Sequence, residues 1–287
     1  MDINSVKTQL RQMTSEDGAR GAALVKKIGW SQTAATWEQT IRWSGDGSFC
    51  LATDDELLAT VIVICYGTEL AWIGMVVTHP DYQRQGLARQ MMDIGLEYTR
   101  KRGIRTVMLD ASQMGYPLYV KLGFQPLYKI EVFEGMATPA ANSNATHTAR
   151  ELTEADIPGI VDLDTRLFGV PRPTIIRDLV ETGQGWVIGE SRNIQGYLIT
   201  KPSNQSLSIG PWYHQSPEGA EALLESAIAA TPGTMLKVHI PETNTPAKAI
   251  VNRHGLQFSR FVTRMVLSGE PPGQMEQQYS VAALATG

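Results

Sequence analysis

Residues Val76 to Met92 read VVTHPDYQRQGLARQMM. The stretch opens on an apolar strand. Pro80 ends the strand, because proline has no N–H to give to a sheet ladder. A turn follows, and from Gly86 to Arg102 apolar residues recur at helical spacing, at Leu87, Met91, Ile94 and Leu96. The backbone amides of Gln83, Arg84, Gln85, Gly86, Leu87 and Ala88 therefore converge near the open N-terminus of a helix. Free donors and the positive end of the helix dipole make such a place a site for a pyrophosphate. Gly86 lets the backbone approach closely, and Ala88 keeps the approach open. Arg84 and Arg89 add positive charge.

Outward from this loop, the first half reads as an α/β unit. Thr8 to Met13 is a strand, and Thr14 to Asp17 supplies helix caps. Thr33 to Trp43 is a helix. Ser48 to Thr53 and Glu56 to Tyr66 form a hairpin that turns at Asp54-Asp55, and Glu69 to Thr78 is the strand before the loop. After the long helix come a strand from Arg105 to Leu109, a short helix from Tyr116 to Leu122 stopped by Gly123, and a strand from Phe124 to Phe133. The order is β-α-α-β-β-β-α-β-α-β, which predicts a mixed sheet flanked by helices.

The second half repeats the plan. Ile73-Gly74 aligns with Ile209-Gly210, and Gly123-Phe124 with Gly255-Leu256. Between the halves lies GMATPAANSNATHT, Gly135 to Thr148, too poor in large apolar residues to bury much. The expected domains are 1–135 and 149–287, with 136–148 as linker. The last residues, YSVAALATG, are expected to add an edge strand.

The bulk composition excludes several classes. Net charge is -4 without a Lys/Arg-rich run, so neither nucleic acid nor an anionic membrane is an expected partner. The longest apolar run, Leu57 to Cys65, is far short of the ~20 residues that span a bilayer. The N-terminus lacks the basic and apolar regions of a signal peptide. Cys50 and Cys65 sit in strand-like runs, and no His/Cys pattern has metal-ligand spacing. The expectation is a cytoplasmic protein without a metal.

Two segments together carry a resemblance. VTHPDYQRQGLA is similar to motif A of the GNAT (Gcn5-related N-acetyltransferase) superfamily, and LYVKLGF, Leu118 to Phe124, to its motif B. The likeness covers about residues 8 to 134. It implies two tandem GNAT-like domains, each a mixed, mostly antiparallel sheet, the second degenerate as in some bacterial tandem-domain members. It implies acetyl-CoA as acyl donor, with direct attack of an amine on the thioester. The pyrophosphate then falls on Gln83 to Ala88, and the pantetheine arm on Met75, Val76 and Val77, where a backbone amide polarises the thioester carbonyl. Tyr119, four residues before Gly123, stands where many members keep the general acid. A phenol stays protonated at neutral pH and can hand its proton to a thiolate.

The chain departs from the family pattern twice. Ser112 stands where some members place a cofactor-binding asparagine. Trp72 replaces the glutamate that some members use as base, and strand alternation turns the nearby Glu69 elsewhere. Trp30 and Trp72 are the candidate acceptor-site residues, since the region holding Trp30, Trp37 and Trp43 walls the acceptor in the family. The resemblance favours a small-molecule amine. A non-catalytic acyl-CoA-binding module and a protein or peptide N-acetyltransferase are the alternatives.

The second half lacks the same equipment. Pro211 takes the place of Met75 and removes an N–H. HQSPEGAEALL enters its helix without a glutamine-glycine loop, and Glu218 repels phosphate there. Val251 replaces the tyrosine. This half is expected to close the acceptor site, to make a homodimer contact, or to serve as a structural partner.

Overall fold

A computed structural model describes residue 3 and residues 6–138, 147–203 and 206–287. Most of the predicted linker, 139–146, lies outside the described residues. The first half contains β1 (Gln9–Gln12), α1 (Gly18–Lys26), α2 (Ala34–Ser44), β2 (Ser48–Ala52), β3 (Leu57–Tyr66), β4 (Leu70–Thr78), α3 (Leu87–Lys101), β5 (Thr106–Ala111), α4 (Tyr116–Lys121) and β6 (Gln125–Met136). The second half contains β7 (Arg150–Glu151), α5 (Ile157–Phe168), α6 (Pro173–Thr182), β8 (Gln184–Glu190), β9 (Asn193–Ser203), β10 (Ser206–His214), α7 (Pro217–Ala230), β11 (Met235–Pro241), α8 (Thr245–Arg253) and β12 (Gln257–Ser268). Of these, α6 is absent from the sequence reading, although Pro173 at its first turn is a start signal.

All twelve strands form one sheet, in the order β1-β2-β3-β4-β5-β12-β6-β11-β10-β9-β8-β7. The last strand of each half crosses into the other. β12 runs antiparallel between β5 and β6, and β6 runs between β12 and β11. The two GNAT-like units are thus joined through two long central strands, related by a pseudo-twofold axis between them.

Strand alternation sorts the core. Trp72 joins a cluster with Leu24, Trp37 and Ile41 of α1 and α2, and with Ile160, Leu163, Ile176 and Leu179 of α5 and α6. Ile73, one residue on, joins the opposite cluster with Leu87 and Met91 of α3 and Tyr119 of α4. A third cluster holds α7 and α8 on the second half. One face of the sheet therefore carries α1, α2, α5 and α6, and the other carries α3, α4, α7 and α8. Among the described residues no helix is long and apolar enough to cross a membrane.

The halves also share a start device. Thr14 and Thr153 head matching capping boxes with Asp17 and Asp156. Arg11 grips both oxygens of Asp17 at 2.7 Å, and Arg150 grips Asp156 at 2.7 and 2.6 Å. The repeated Arg-x-x-Thr-x-x-Asp is a further sequence mark of the duplication.

Residues 279–287 do not add the expected edge strand; the sheet ends on β1 and β7. They run through the interior. Ser280 bridges Trp212, and the tail then crosses the α1/α2 face of the first half.

Candidate active site

β4 and β5 are parallel and paired from Leu70↔Thr106 to Ile73↔Leu109, and no further. β4 continues to Thr78 and β5 to Ala111, so the two strands splay apart and leave a cleft in the sheet. At the splay Met75 has φ 50°, a left-handed conformation that costs a non-glycine residue of order 1–2 kcal/mol. The buried Thr60 hydroxyl donates to the Met75 carbonyl at 2.7 Å and holds the bulge. The β3–β4 register shifts at this point, between Thr60 and Ile62. Met75, Val76 and Val77 thus form a wall of the cleft, where the motif places the pantetheine arm.

Beyond β4, a 3-10 turn over Pro80–Tyr82 leads to the predicted loop. Arg84 at φ 62° and Gly86 at φ 85° are both left-handed, and α3 begins at Leu87. Left-handed residues alternating with ordinary backbone make a concave nest of N–H groups, which favours an anion. A Cβ built on Gly86 meets nothing within 4 Å. No internal packing demands a glycine there. Its φ demands it, and the space beside it is open. Arg84 is exposed. Arg89 is held by Asp93 at 2.9 Å, which spends part of its charge. The Gln85 side chain accepts from the Ile3 amide at 2.8 Å, and the Gln83 side chain reaches back to the Thr78 carbonyl at 3.5 Å. Their backbone amides remain the groups of interest.

Tyr119 lies on α4 against Phe124, ring centroids 6.0 Å apart, and is 8% exposed. A Cβ on Gly115 would come within 2.8 Å of its ring, so glycine there makes room for the tyrosine. Burial pushes its phenol well above the usual value. The group stays protonated, as a donor to a thiolate must. Ser112 accepts from the Gly115 amide at 3.2 Å and shapes the turn into α4.

The two tryptophans part company. Trp30 follows α1 and is 39% exposed, outside the cavity described next. Trp72 is fully buried, and it too lies outside that cavity's lining. Its indole donates to the Leu284 carbonyl at 3.2 Å, and the Arg264 guanidinium lies 4.6 Å from its ring. Strand alternation gives the face that Trp72 takes but not what covers it. Arg264 is itself clamped by Asp110 at 3.0 and 2.9 Å, both side chains inaccessible. Both Asp110 oxygens are engaged by that guanidinium.

A cavity of about 450 Å³ opens beyond the end of β5. Thr263 on its wall pairs with Ala111, the last residue of β5, and Tyr116 on its wall is the first of α4. Leu127, Tyr128, Lys129, Glu242 and Phe261 also line it, and the Lys129 backbone amide donates to the Glu242 carboxylate at 2.8 Å, with the Lys129 ammonium 3.9 Å from that carboxylate. Glu242 and Phe261 come from the second half, so no reading of the first half alone could find this cavity.

In the second half β10 and β11 also splay, after Ile209↔Val238. Pro211 and Val251 stand there as the sequence indicates, and Ser216 caps α7 by accepting from Gly219 at 3.3 Å. That leaves no loop for a pyrophosphate. On α7 and α8, ligand atoms of Glu221, Glu225 and His254 lie within 4.8 Å of one another. Arg253 already holds both Glu221 oxygens, at 3.1 and 2.6 Å.

Comparison with known proteins agrees with this geometry. Residues 22–124 match the model of the Acetyltransferase (GNAT) family, and residues 160–280 match that of the Acetyltransferase (GNAT) domain. A holothin acyltransferase of Pseudoalteromonas sp. (strain SANK 73390) is 22% identical over 90% of this chain and 87% of its own. An uncharacterized N-acetyltransferase, YitH, of Bacillus subtilis (strain 168) is 24% identical over 64% of this chain and 66% of its own. Among solved structures, a putative acetyltransferase from Pyrococcus horikoshii superposes with TM-score 0.84 at 22% identity, covering 98% and 96% of the two chains. A tandem GNAT protein from the clavulanic acid biosynthesis pathway gives 0.63 at 12% identity, covering 91% and 98%. Both halves match the same fold and the first half carries its motifs, so the chain belongs to the GNAT superfamily of acyltransferases, as a member with two GNAT domains in tandem.

Proposed function

We propose that the first half transfers an acetyl group from acetyl-CoA to the primary amine of a small molecule. One observation carries this reading. The splay at Met75, the anion nest at Arg84–Gly86 and the buried phenol of Tyr119 lie on neighbouring elements, in the order that a CoA thioester needs. The nest and the N-terminus of α3 take the pyrophosphate. The Met75–Val77 backbone takes the pantetheine arm, and an amide there polarises the carbonyl. The amine attacks the carbonyl carbon, the C–S bond breaks, and Tyr119 gives its proton to the departing thiolate. With Trp72 in place of a glutamate and Asp110 clamped, the ammonium loses its proton to water.

The acceptor enters through the cavity beside Tyr116. Its size suits a small molecule. Phe261, Tyr128 and Leu127 offer an apolar wall, and the Glu242 carboxylate, which the Lys129 ammonium approaches at 3.9 Å, offers an acidic partner to an incoming ammonium. The Pseudoalteromonas relative bears the name holothin acyltransferase, which supports acyl transfer. The missing base favours a second one, a non-catalytic acyl-CoA-binding module.

The test is isothermal titration with acetyl-CoA, followed by a screen of amines for CoA release. One site per chain is expected, lost in Gly86→Glu, which sets a carboxylate and a disfavoured φ in the nest. Absent binding, or binding indifferent to that change, overturns the proposal. Binding without turnover on any amine selects the non-catalytic module. For an accepted amine, Glu242→Gln is expected to raise KM roughly fivefold with kcat unchanged, the loss of a partly exposed charge contact.

A further inference from the structure

The cleft of the second half is filled, and what fills it is the chain's own tail. Ser280 sits between the splayed strands. Its hydroxyl donates to the Ile209 carbonyl at 2.6 Å and accepts from the His239 amide at 3.0 Å. The Trp212 amide donates to the Ser280 carbonyl at 3.0 Å, and the Val281 amide to the His239 carbonyl at 3.0 Å. The tail is therefore bonded to both walls, β10 and β11, in the position that a pantetheine arm takes in the first half.

Asn244 clasps it from the side. This residue lies eleven before Gly255, as Ser112 lies eleven before Gly123. Its amide nitrogen donates to the Gln277 and Gln278 carbonyls at 3.3 and 3.0 Å. Its oxygen meanwhile caps α8 by accepting from Ala247 at 3.0 Å.

From the clasp the tail crosses to the first half. Leu284 takes the Trp72 indole proton, and the Thr286 carbonyl takes that of the buried Tyr66 hydroxyl at 2.7 Å. Ala285 packs so closely on Gly74 that a Cβ there would lie 3.0 Å from its backbone. Gly74 immediately precedes the Met75 bulge.

We propose that residues 277–287 are a positioning strut. They are clasped in the second half where a cofactor arm would lie, and they hold the splayed end of β4 in the shape that receives the thioester. The inference rests on the proposed acetyl transfer only for the nature of the ligand. The coupling between the two clefts is testable apart from it.

Asn244→Asp breaks the clasp selectively. The carboxylate still caps α8, but it faces the two tail carbonyls without a donor. Hydrogen exchange and acetyl-CoA titration are read on the wild type, on this variant and on Arg150→Ala, a control that weakens the second half elsewhere. In Asn244→Asp the amides of 278–281 and of 73–77 are both expected to exchange at least roughly tenfold faster. Acetyl-CoA affinity at the single site falls roughly fivefold. Arg150→Ala leaves 73–77 and the affinity at wild-type values. Faster exchange at 278–281 with 73–77 and affinity unchanged overturns the strut. So does an equal effect of the control. If the wild type binds no acetyl-CoA, the acetyl-transfer reading falls, and exchange at 73–77 alone judges the strut.

Discussion

The two halves open the sheet at the same place and treat the opening differently. After Ile73↔Leu109 the first half leaves a cleft walled by Met75 to Val77, with the anion nest and Tyr119 beside it. After Ile209↔Val238 the second half lays Ser280 and Val281 into the gap. Parting two strands exposes backbone donors and acceptors on both edges, and buried ones must find partners. In the proposed reading a cofactor supplies them in one half, its phosphates held by the loop and helix beside the cleft. The other half lacks that loop and satisfies the same edges with peptide. The cleft is thus a property of the fold, and the chemistry is a property of what surrounds it.

The largest effect should come from the residue that most separates the two clefts. Tyr119→Phe removes the proposed acid and keeps the ring against Phe124. For an accepted amine, kcat is expected to fall about 10²-fold or more. Acetyl-CoA affinity measured by titration should stay within about twofold of wild type, since the ring packing is kept. The reciprocal change, Val251→Tyr, should add neither turnover nor a second binding site, because the tail still fills that cleft. A second equivalent of acetyl-CoA bound by Val251→Tyr would break the comparison.

A smaller effect is expected at the bulge. Thr60→Val keeps the shape of the side chain and deletes the hydrogen bond to the Met75 carbonyl. The positive φ at Met75 then loses its local support. Acetyl-CoA affinity should weaken roughly tenfold, while urea denaturation shows a stability loss of about 1 kcal/mol. Unaltered affinity would mean that strand splay alone shapes the cleft, without Thr60.

Much of this was legible in the sequence, because it is written locally. The strand, proline, turn and glycine of residues 76–87 specify the loop, and the Gly123 and Gly255 stops, both left-handed, mark the repeat. Apart from α6 and the tail, the helices and strands match the expected order within a few residues. What escaped depends on contacts between residues distant in the chain. The crossing of β6 and β12, the burial of Trp72 under Leu284 and the cavity holding Glu242 join residues more than a hundred positions apart, and the tail in the second cleft joins residues 41 and 71 apart. Periodicity names the face that a side chain takes, and it does not say what will lie on that face.

The smallest predicted difference concerns the start of each half, where the two are most alike. Asp17 is held below its usual range, although burial raises it, because Arg11 and the Thr14 amide bind its charged form. Asp156 is held much lower, chiefly by Arg150, with Ser191 and Thr153 also donating. A carboxylate depressed in the folded state stabilises the fold fully above its unfolded pKa, near 4. That contribution is lost as pH falls toward the folded value. Asp156 has the deeper depression and the fully buried side chain, so its half should keep more of its acid resistance. Asp156→Asn is therefore expected to cost about 1–2 kcal/mol at pH 7, and Asp17→Asn less. Both penalties should shrink as pH drops below 4. Urea denaturation of the two variants between pH 7 and pH 3 checks this. An Asp17→Asn penalty that exceeds the Asp156→Asn penalty would show that the extra donors of the second half do not strengthen its cap.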